Sequence, residues 1–304
     1  MNTHPHAAGE IRVAPASTCA VCGGLGELLH ARLTDRLFDA PGEWNLSRCR
    51  NPTCGLVWPD PMPLTEDLGK AYTTYYTHVS RRGSPKGFLR KLLREIVHGY
   101  WALKYQYPAR TPYLSKSLGI LLYLWPLRRS TADQDVRLLK AVPGGSVLDV
   151  GCGSGDWLVE MQELGWRPEG VDFDEKAVKA ARDRKLKAEC GILEQQNYAS
   201  ESFDAATLNH VIEHVPDPCG TLEECFRVLK PGGNIVFFTP NAASFSHRFF
   251  GRDWRGLEPP RHLHIFTRGA LKEILEKAGW TTFPGSEPDR EVAEACVNLI
   301  NVAK

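Results

Sequence analysis

The chain has 304 residues, 42% hydrophobic and 24% charged, with a formal net charge of +1. That is room for one sizeable α/β domain and a small extra module in an ordinary soluble composition, and so balanced a charge gives no reason to expect a polyanion as partner. The opening MNTHPHAAGEIRVAPAST lacks the charged-then-apolar run of a signal peptide. No stretch reaches the roughly 18 uninterrupted apolar residues of a membrane span, and nine cysteines without a secretion signal point to reduced thiols in the cytoplasm.

In chain order, residues 1–16 are small, polar and proline-containing, and read as a disordered tail. Residues 17–62 carry Cys19-x2-Cys22 and, after 26 intervening residues, Cys49-x4-Cys54. Each pair is followed by Gly, which permits the turn that aims backbone amides at thiolates. Two tight pairs on separate turns suit a tetrahedral four-sulfur site for a structural zinc, with iron the lesser alternative. Residues 63–130 form a connector bearing Tyr72, Tyr75 and Tyr76, then a basic, aromatic helical lid. Residues 81–130 contain eleven Lys or Arg and a single acid, Glu95. Leu89, Leu92, Leu93, Ile96, Tyr100 and Leu103 recur at helical spacing, and the nearly apolar stretch Leu118–Leu127 runs into Arg128-Arg129. Such a segment either packs as a lid on the catalytic core or docks on an anionic membrane through 86–127, making the protein cytoplasmic or peripheral at the membrane.

From residue 131 to 304 the pattern alternates. Helices are expected at 132–142, 157–164, 175–185, 222–228 and 268–278. Strands are expected at 147–150, 168–172, 188–191, 203–209 and 234–239, with a Lys230–Gly233 turn. Strands alternating with helices of this length predict an α/β fold, a Rossmann-like parallel sheet with helices on both faces.

The first strand runs into VLDVGCGSGDWL at 147–158: strand, glycine loop, helix, the crevice where open α/β sheets bind nucleotides. A dinucleotide fingerprint would need a third glycine where Asp156 stands, and that carboxylate sits where a diphosphate would lie. The second strand ends at Asp172, placed to accept two hydrogen bonds from ribose hydroxyls. Further on come Asn209-His210-Val211-Ile212-Glu213-His214-Val215, Leu229-Lys230-Pro231-Gly232-Gly233 and Thr239-Pro240-Asn241. Together with DVGCGSG these segments resemble the class I S-adenosylmethionine methyltransferases, in particular the branch like the ubiquinone-biosynthesis O-methyltransferases, over about residues 130–285. The resemblance implies that Asp149, Gly151, Cys152, Gly153 and Gly155 line the methionine part of the donor. It implies Asp172 for the ribose, Phe173 and the Gly191-Ile192-Leu193 segment for the adenine, and Asn209 and His210 closing the site. The four-cysteine module, tyrosine-bearing connector and donor domain are similar to bacterial methyltransferases of sugar and surface-polysaccharide pathways, which implies a small-molecule or glycan-precursor acceptor.

Transfer from a sulfonium needs mainly alignment, since the leaving group is already activated. A hydroxyl acceptor also needs a base. His titrates near neutrality, so the candidates are His214 first, then His262 and His264, with Glu213 beside them. Methylation of a hydroxyl is the first expectation. A zinc-containing nucleic-acid-binding or RNA-modifying enzyme, a sugar C-methyltransferase and an inactive binding module are the alternatives. Nucleic acid is disfavoured, because the cysteine module is only modestly basic and Asn209-His210-Val211-Ile212 does not match the Pro-Pro-aromatic pattern of base-amine methylases. Cys219, in Asp217-Pro218-Cys219, lies past the strand and reads as an ordinary loop cysteine.

Overall fold

The computed structural model describes residues 10–73, 88–108, 112–280 and 295–301, with the backbone alone for 88–90, 112–114 and 295–301. Tyr75 and Tyr76 lie outside the described residues.

The first module contains β1 (Val13–Ala14), β2 (Gly26–Leu33), β3 (Trp44–Cys49), β4 (Val57–Pro59) and β5 (Met62–Pro63). Strands β2, β3 and β4 form an antiparallel sheet in that order, and β1 pairs antiparallel with β5. Residues 10–16 are therefore not a free tail. Ile11 is buried. The Arg12 guanidinium and backbone amide both donate to Asp67, with Nε to Oδ2 at 2.7 Å. The ordering comes from partners about fifty residues away, which local composition does not display.

After a 3₁₀ turn at Thr65–Tyr72 come α1 (Phe88–Lys104), α2 (Pro112–Gly119), a 3₁₀ turn at Ile120–Leu124 and α3 (Pro126–Asp135). Helices α1 and α2 cross at Gly99 and Gly119, where a Cβ on either would overlap the other's backbone. The buried face of α1 is Val97, Tyr100 and Trp101, while Leu92 and Leu103 are exposed, so the inward stripe is rotated from the one the leucines suggest. Tyr100 and Tyr105 both donate to the buried Asp133 carboxylate at 2.7 Å, and Trp101 Nε1 donates to the Ala132 carbonyl. These polar anchors fix the rotation. The helix expected at 132–142 instead occupies 126–135, started by Pro126 in its first turn. It stops because Arg137 and Leu138 adopt positive φ, 48° and 58°, a conformation no α-helix accommodates.

The second module runs β6 (Ser146–Val150), α4 (Asp156–Glu163), β7 (Arg167–Asp172), α5 (Glu175–Asp183), β8 (Lys187–Cys190), β9 (Phe203–Asn209), α6 (Pro218–Val228), β10 (Leu229–Pro240), α7 (Phe245–Phe250), α8 (Arg268–Lys277) and β11 (Ala295–Asn301). Helix α6 starts earlier than the sequence suggests because Asp217 caps it, accepting from the Gly220 amide. The Lys230–Gly233 turn is an irregularity between the paired residues Leu229 and Asn234 of β10. The sheet order is β11-β10-β9-β6-β7-β8, parallel except for the edge strand β11.

Alternation along the strands gives the sheet two apolar faces. Val147, Ala205, Val236 and Phe238 pack with α1, α3 and α4 through Tyr100, Trp101, Ala132 and Met161. Leu148, Ala206, Leu208, Ile235 and Phe237 face α6 and α8, in a core that continues into the cysteine module through Val21, Leu56 and Trp58. Val57 and Ile265 exchange backbone hydrogen bonds at 3.0 and 2.7 Å, which fastens the two modules together. The strand order reverses at β6, between β7 and β9, so the crevice at the end of β6 is where a ligand is expected.

Candidate active site

Gly151, Gly153 and Gly155 all have positive φ, 76°, 54° and 78°, and carry the chain from β6 round to α4. A Cβ on Gly151 would overlap Val211, whereas one on Gly153 would meet open space. The backbone at Gly153 is thus a wall against which a ligand can lie closely. Its amide donates to Asp172 Oδ2 at 2.7 Å, and the Asp174 amide donates to Oδ1 at 2.9 Å. Burial raises the Asp172 carboxyl against these two amides. Phe173 is 59% exposed, with the Tyr72 ring edge-on at 5.4 Å. Asn209 and His210 are exposed at the end of β9. Asp156 opens α4 and pairs with Arg184 at 2.7 Å.

Three residues assigned to the donor site have other duties. Asp149 is buried beneath the loop, where Oδ1 accepts from Arg137 Nη1 and, at 3.0 Å, from the Thr207 hydroxyl, while Oδ2 has no hydrogen-bond partner among the described residues. Burial raises its pKa against the pull of Arg137. It holds the loop up and does not line the crevice. The Cys152 side chain packs with Leu158, Val178 and Ala181, since a small apolar group suits the space over Gly170. Leu193 is core, while its neighbour Ile192 is 50% accessible.

Past β9 the chain places Glu213 with no exposed surface. The Glu213 carbonyl accepts from the amides of Leu263 and His264 at 2.8 and 3.1 Å, which brings the 258–264 segment over it. His214 Nδ1 lies 3.0 Å from both the Arg261 carbonyl and the Tyr72 hydroxyl, and its ring meets His262 edge-on at 4.7 Å. His262 Nδ1 donates to the Gly256 carbonyl at 2.8 Å, so its Nε2 keeps the lone pair. Burial lowers the His214 pKa, and burial together with His214 lowers that of His262 to about 3. Both rings are therefore neutral near pH 7. Burial raises the Glu213 carboxyl, but a 3.3 Å hydrogen bond with His210 and the nearby histidines outweigh it and hold the group at about 2. Glu213 is thus a fixed anion, too weak a base to deprotonate a hydroxyl. The same hydrogen bond raises His210. Donor atoms of Glu213, His214 and His262 lie within 4.8 Å of one another, a spacing that could also hold a divalent cation.

His264 is not part of this cluster. Its ring tilts against Phe266, its Nε2 is 3.5 Å from the Pro216 carbonyl, and it lines a cavity of about 240 Å³ between the modules with Trp58 and Met62. Arg261, beside His262, is fully buried and donates to Asp35 at 2.7 Å and to the Ala71 carbonyl at 3.2 Å. Three amides and Arg261 overcome the burial of Asp35 and hold its carboxyl at about 2. Arg137, Thr207, Asp35 and Arg261 belong to the site and carry no motif. Each takes its role from a partner elsewhere in the chain, which local sequence does not display.

The four N-terminal cysteines converge. Cys19 and Cys54 sulfurs are 3.6 Å apart, those of Cys22 and Cys49 3.3 Å, and all four lie within 4.8 Å. Zn–S bonds of about 2.3 Å give tetrahedral sulfur–sulfur edges of about 3.8 Å, so the cluster fits such an ion. Gly23 and Gly55 have positive φ, 73° and 59°, the turns the spacing required. The Cys19 thiol is lowered to about 5 by the Cys54 thiol and the amides of Cys22 and Val21.

A family model described as a methyltransferase domain matches residues 126–283. The chain is 32% identical over 180 residues to the ubiquinone biosynthesis O-methyltransferase of Hahella chejuensis, covering 52% of this chain and 74% of that protein. It is 34% identical over 196 residues to the like-named protein of Alkalilimnicola ehrlichii, covering 58% and 78%. Among solved structures it is similar to a putative methyltransferase of Bacillus halodurans, at 21% identity and TM-score 0.43, over 50% of this chain and 69% of that one. With a methyltransferase-domain model matched over residues 126–283, this chain belongs to the methyltransferase-domain family and is an S-adenosylmethionine-dependent methyltransferase.

Proposed function

We propose that the enzyme methylates a hydroxyl of a small-molecule or glycan-precursor acceptor, with His214 as the base. The observation that carries this is the Tyr72 bridge. Tyr72 touches Phe173 at the donor crevice and hydrogen-bonds His214, so a neutral imidazole stands beside the donor pocket. Bound S-adenosylmethionine supplies an activated methyl group. The backbone at Gly151–Gly155 and the Asp172 carboxylate would hold it, with Phe173 and Ile192 flanking its base. With Nδ1–H of His214 shared between the Arg261 carbonyl and the Tyr72 hydroxyl oxygen, both accepting, Nε2 would be free to accept the hydroxyl proton as the methyl's bond passes from the sulfonium sulfur to the acceptor oxygen. Glu213 stabilises the resulting imidazolium, as a buried carboxylate does in hydrolytic triads. His262 narrows the pocket, and the chain's own contribution is mainly alignment. The relatives' names specify O-methylation, which supports a hydroxyl acceptor. Zinc held by Cys19, Cys22, Cys49 and Cys54 would be structural, since four thiolates leave no open position.

The test is transfer of tritiated methyl to a panel of phenols and sugar hydroxyls. His214→Phe should lower kcat by about 10²–10⁴ while S-adenosylmethionine affinity by calorimetry stays within about threefold. Asp172→Ala should lose that affinity. A product methylated at carbon or nitrogen, or an unimpaired His214→Phe enzyme, would overturn the assignment.

A further inference from the structure

The lid segment was expected to use its amphipathic helix in one of two ways, and α1 is committed to the core. What it leaves outside is a short run at the far end of the segment. Ile120, Leu121, Tyr123, Leu124, Trp125 and Leu127 are 58%, 49%, 46%, 83%, 55% and 79% exposed. Leu122 turns inward and is 1% exposed, and the half-exposed Tyr123 ring meets the buried Tyr100 edge-on at 5.4 Å, while the other apolar side chains of the run face water. Single exposed leucines are ordinary, but six large apolar side chains within eight residues are not.

We infer that residues 120–127 are a docking edge for an anionic phospholipid surface. Charge selects this occupant. Residues 96–132 contain Lys104, Arg110, Lys116, Arg128 and Arg129 and no acid; in the fold Lys104 pairs with Asp133 at 3.0 Å and Arg128 with Asp135 at 3.7 Å, while the chain as a whole is nearly neutral. Lys116 is exposed four residues before the run, and Arg128 and Arg129 follow it directly. The Arg129 guanidinium lies 5.8 Å from the centre of the Tyr123 ring. Cations next to exposed Leu and Trp match the layering of a bilayer, with acyl chains beneath anionic headgroups. Trp and Tyr are the aromatic residues that favour that boundary. The run is too short to span, and among the described residues no helix is long and apolar enough to cross a membrane. The edge therefore lies on the surface. Leu124 and Leu127 are its most exposed apolar members, Leu124 at the end of the 3₁₀ turn and Leu127 in the first turn of α3; beyond α3, Arg137 reaches Asp149 of β6 beneath the glycine loop. Docking would hold the crevice at a fixed distance from the lipid headgroups.

The experiment is co-sedimentation of the full-length protein with vesicles of phosphatidylcholine alone or with phosphatidylglycerol. The intact protein should pellet with the mixed vesicles, weakly with the neutral ones, and less as salt rises. Leu124→Ser/Leu127→Ser should lower the partition coefficient about a hundredfold, with an unchanged melting temperature and S-adenosylmethionine affinity as controls for folding. If the intact protein stays in the supernatant with the mixed vesicles, or the double variant pellets equally well, the inference fails. It also fails if light scattering shows a dimer that the double variant abolishes while vesicles capture neither form, because the edge is then a contact between copies of the chain.

Discussion

Replacing Arg137 with Met tests the load-path beneath the donor loop. Arg137 is 7% and Asp149 1% exposed. Arg137 donates to Asp149 and, at 2.6 Å, to Thr207, with its guanidinium 3.8 Å from the Trp157 ring centre. Methionine keeps most of the stem's volume and removes the cation. A buried carboxylate left without its partner costs about 3–5 kcal/mol. For a protein of this size each kcal/mol moves the melting temperature by about 2–4 °C, so a fall of roughly 6–20 °C is expected. Asp149 already sits above its ordinary pKa through burial, and losing Arg137 raises it further. An acid whose folded-state pKa is raised binds its proton more tightly in the native state, so the variant's deficit should shrink as pH falls from 7 towards 5 and grow as pH rises. Urea unfolding at several pH values measures this, and a cycle with Asp149→Asn isolates the pair. The double variant should recover about half the loss. A variant within about 0.5 kcal/mol of wild type, or strictly additive single substitutions, would refute the idea that this pair braces the loop.

Acid should destabilise the fold early. His262 and His264 are held at about 3 and about 4 against an ordinary 6.5. Between pH 6.5 and 4 the unfolded chain binds their protons and the native state does not, so stability falls with decreasing pH by about 1.4 kcal/mol per unit per histidine. His210, raised by Glu213, has the opposite effect, its stabilisation being lost as pH rises through its folded-state pKa. A urea midpoint that is flat from pH 6.5 to 4.5 would contradict the burial of the two histidines. Cys54→Ser should take bound zinc, measured by plasma emission, from about one per chain to near zero. It should also lower the melting temperature of the whole protein, because Cys54 belongs to the core shared with α8. Gly151→Ala puts a Cβ into Val211 at a positive φ. Donor affinity should drop at least tenfold with an unaltered far-ultraviolet spectrum, and undiminished binding would remove the loop from the site.

What the sequence made legible was whatever depends on local chemistry. The glycine loop, Asp172 and the two cysteine pairs need particular residues at fixed spacing, and the chain folds around those needs. The alternating apolar runs that give β6, β7, β9 and β10 are local in the same sense. Apart from helix starts such as the Asp217 cap of α6, the failures are long-range. Arg137 looked helical because nothing nearby shows that it must leave the helix to meet Asp149 and Thr207. Leu92 and Leu103 looked like the inward face of α1 because Asp133, which fixes the rotation through Tyr100 and Tyr105, lies some thirty residues on. Cys152 and Leu193 fall within motif segments, yet which way a side chain turns depends on Gly170 and on the core behind it.

The same distinction explains how the cysteine module reaches the His214 ring from far along the chain. Alone it is a small sheet with a metal-sized cluster. In the folded chain its Asp35 fills the charge requirement of Arg261, whose side chain has no exposed surface. The Arg261 carbonyl accepts from His214, and its neighbour His262 packs against the same ring. The segment from Glu258 to His264 is therefore held from both sides, by Glu213 of the methyltransferase module and by Asp35 of the cysteine module. An Arg that must stay buried and charged cannot keep its backbone in place if that second carboxylate moves.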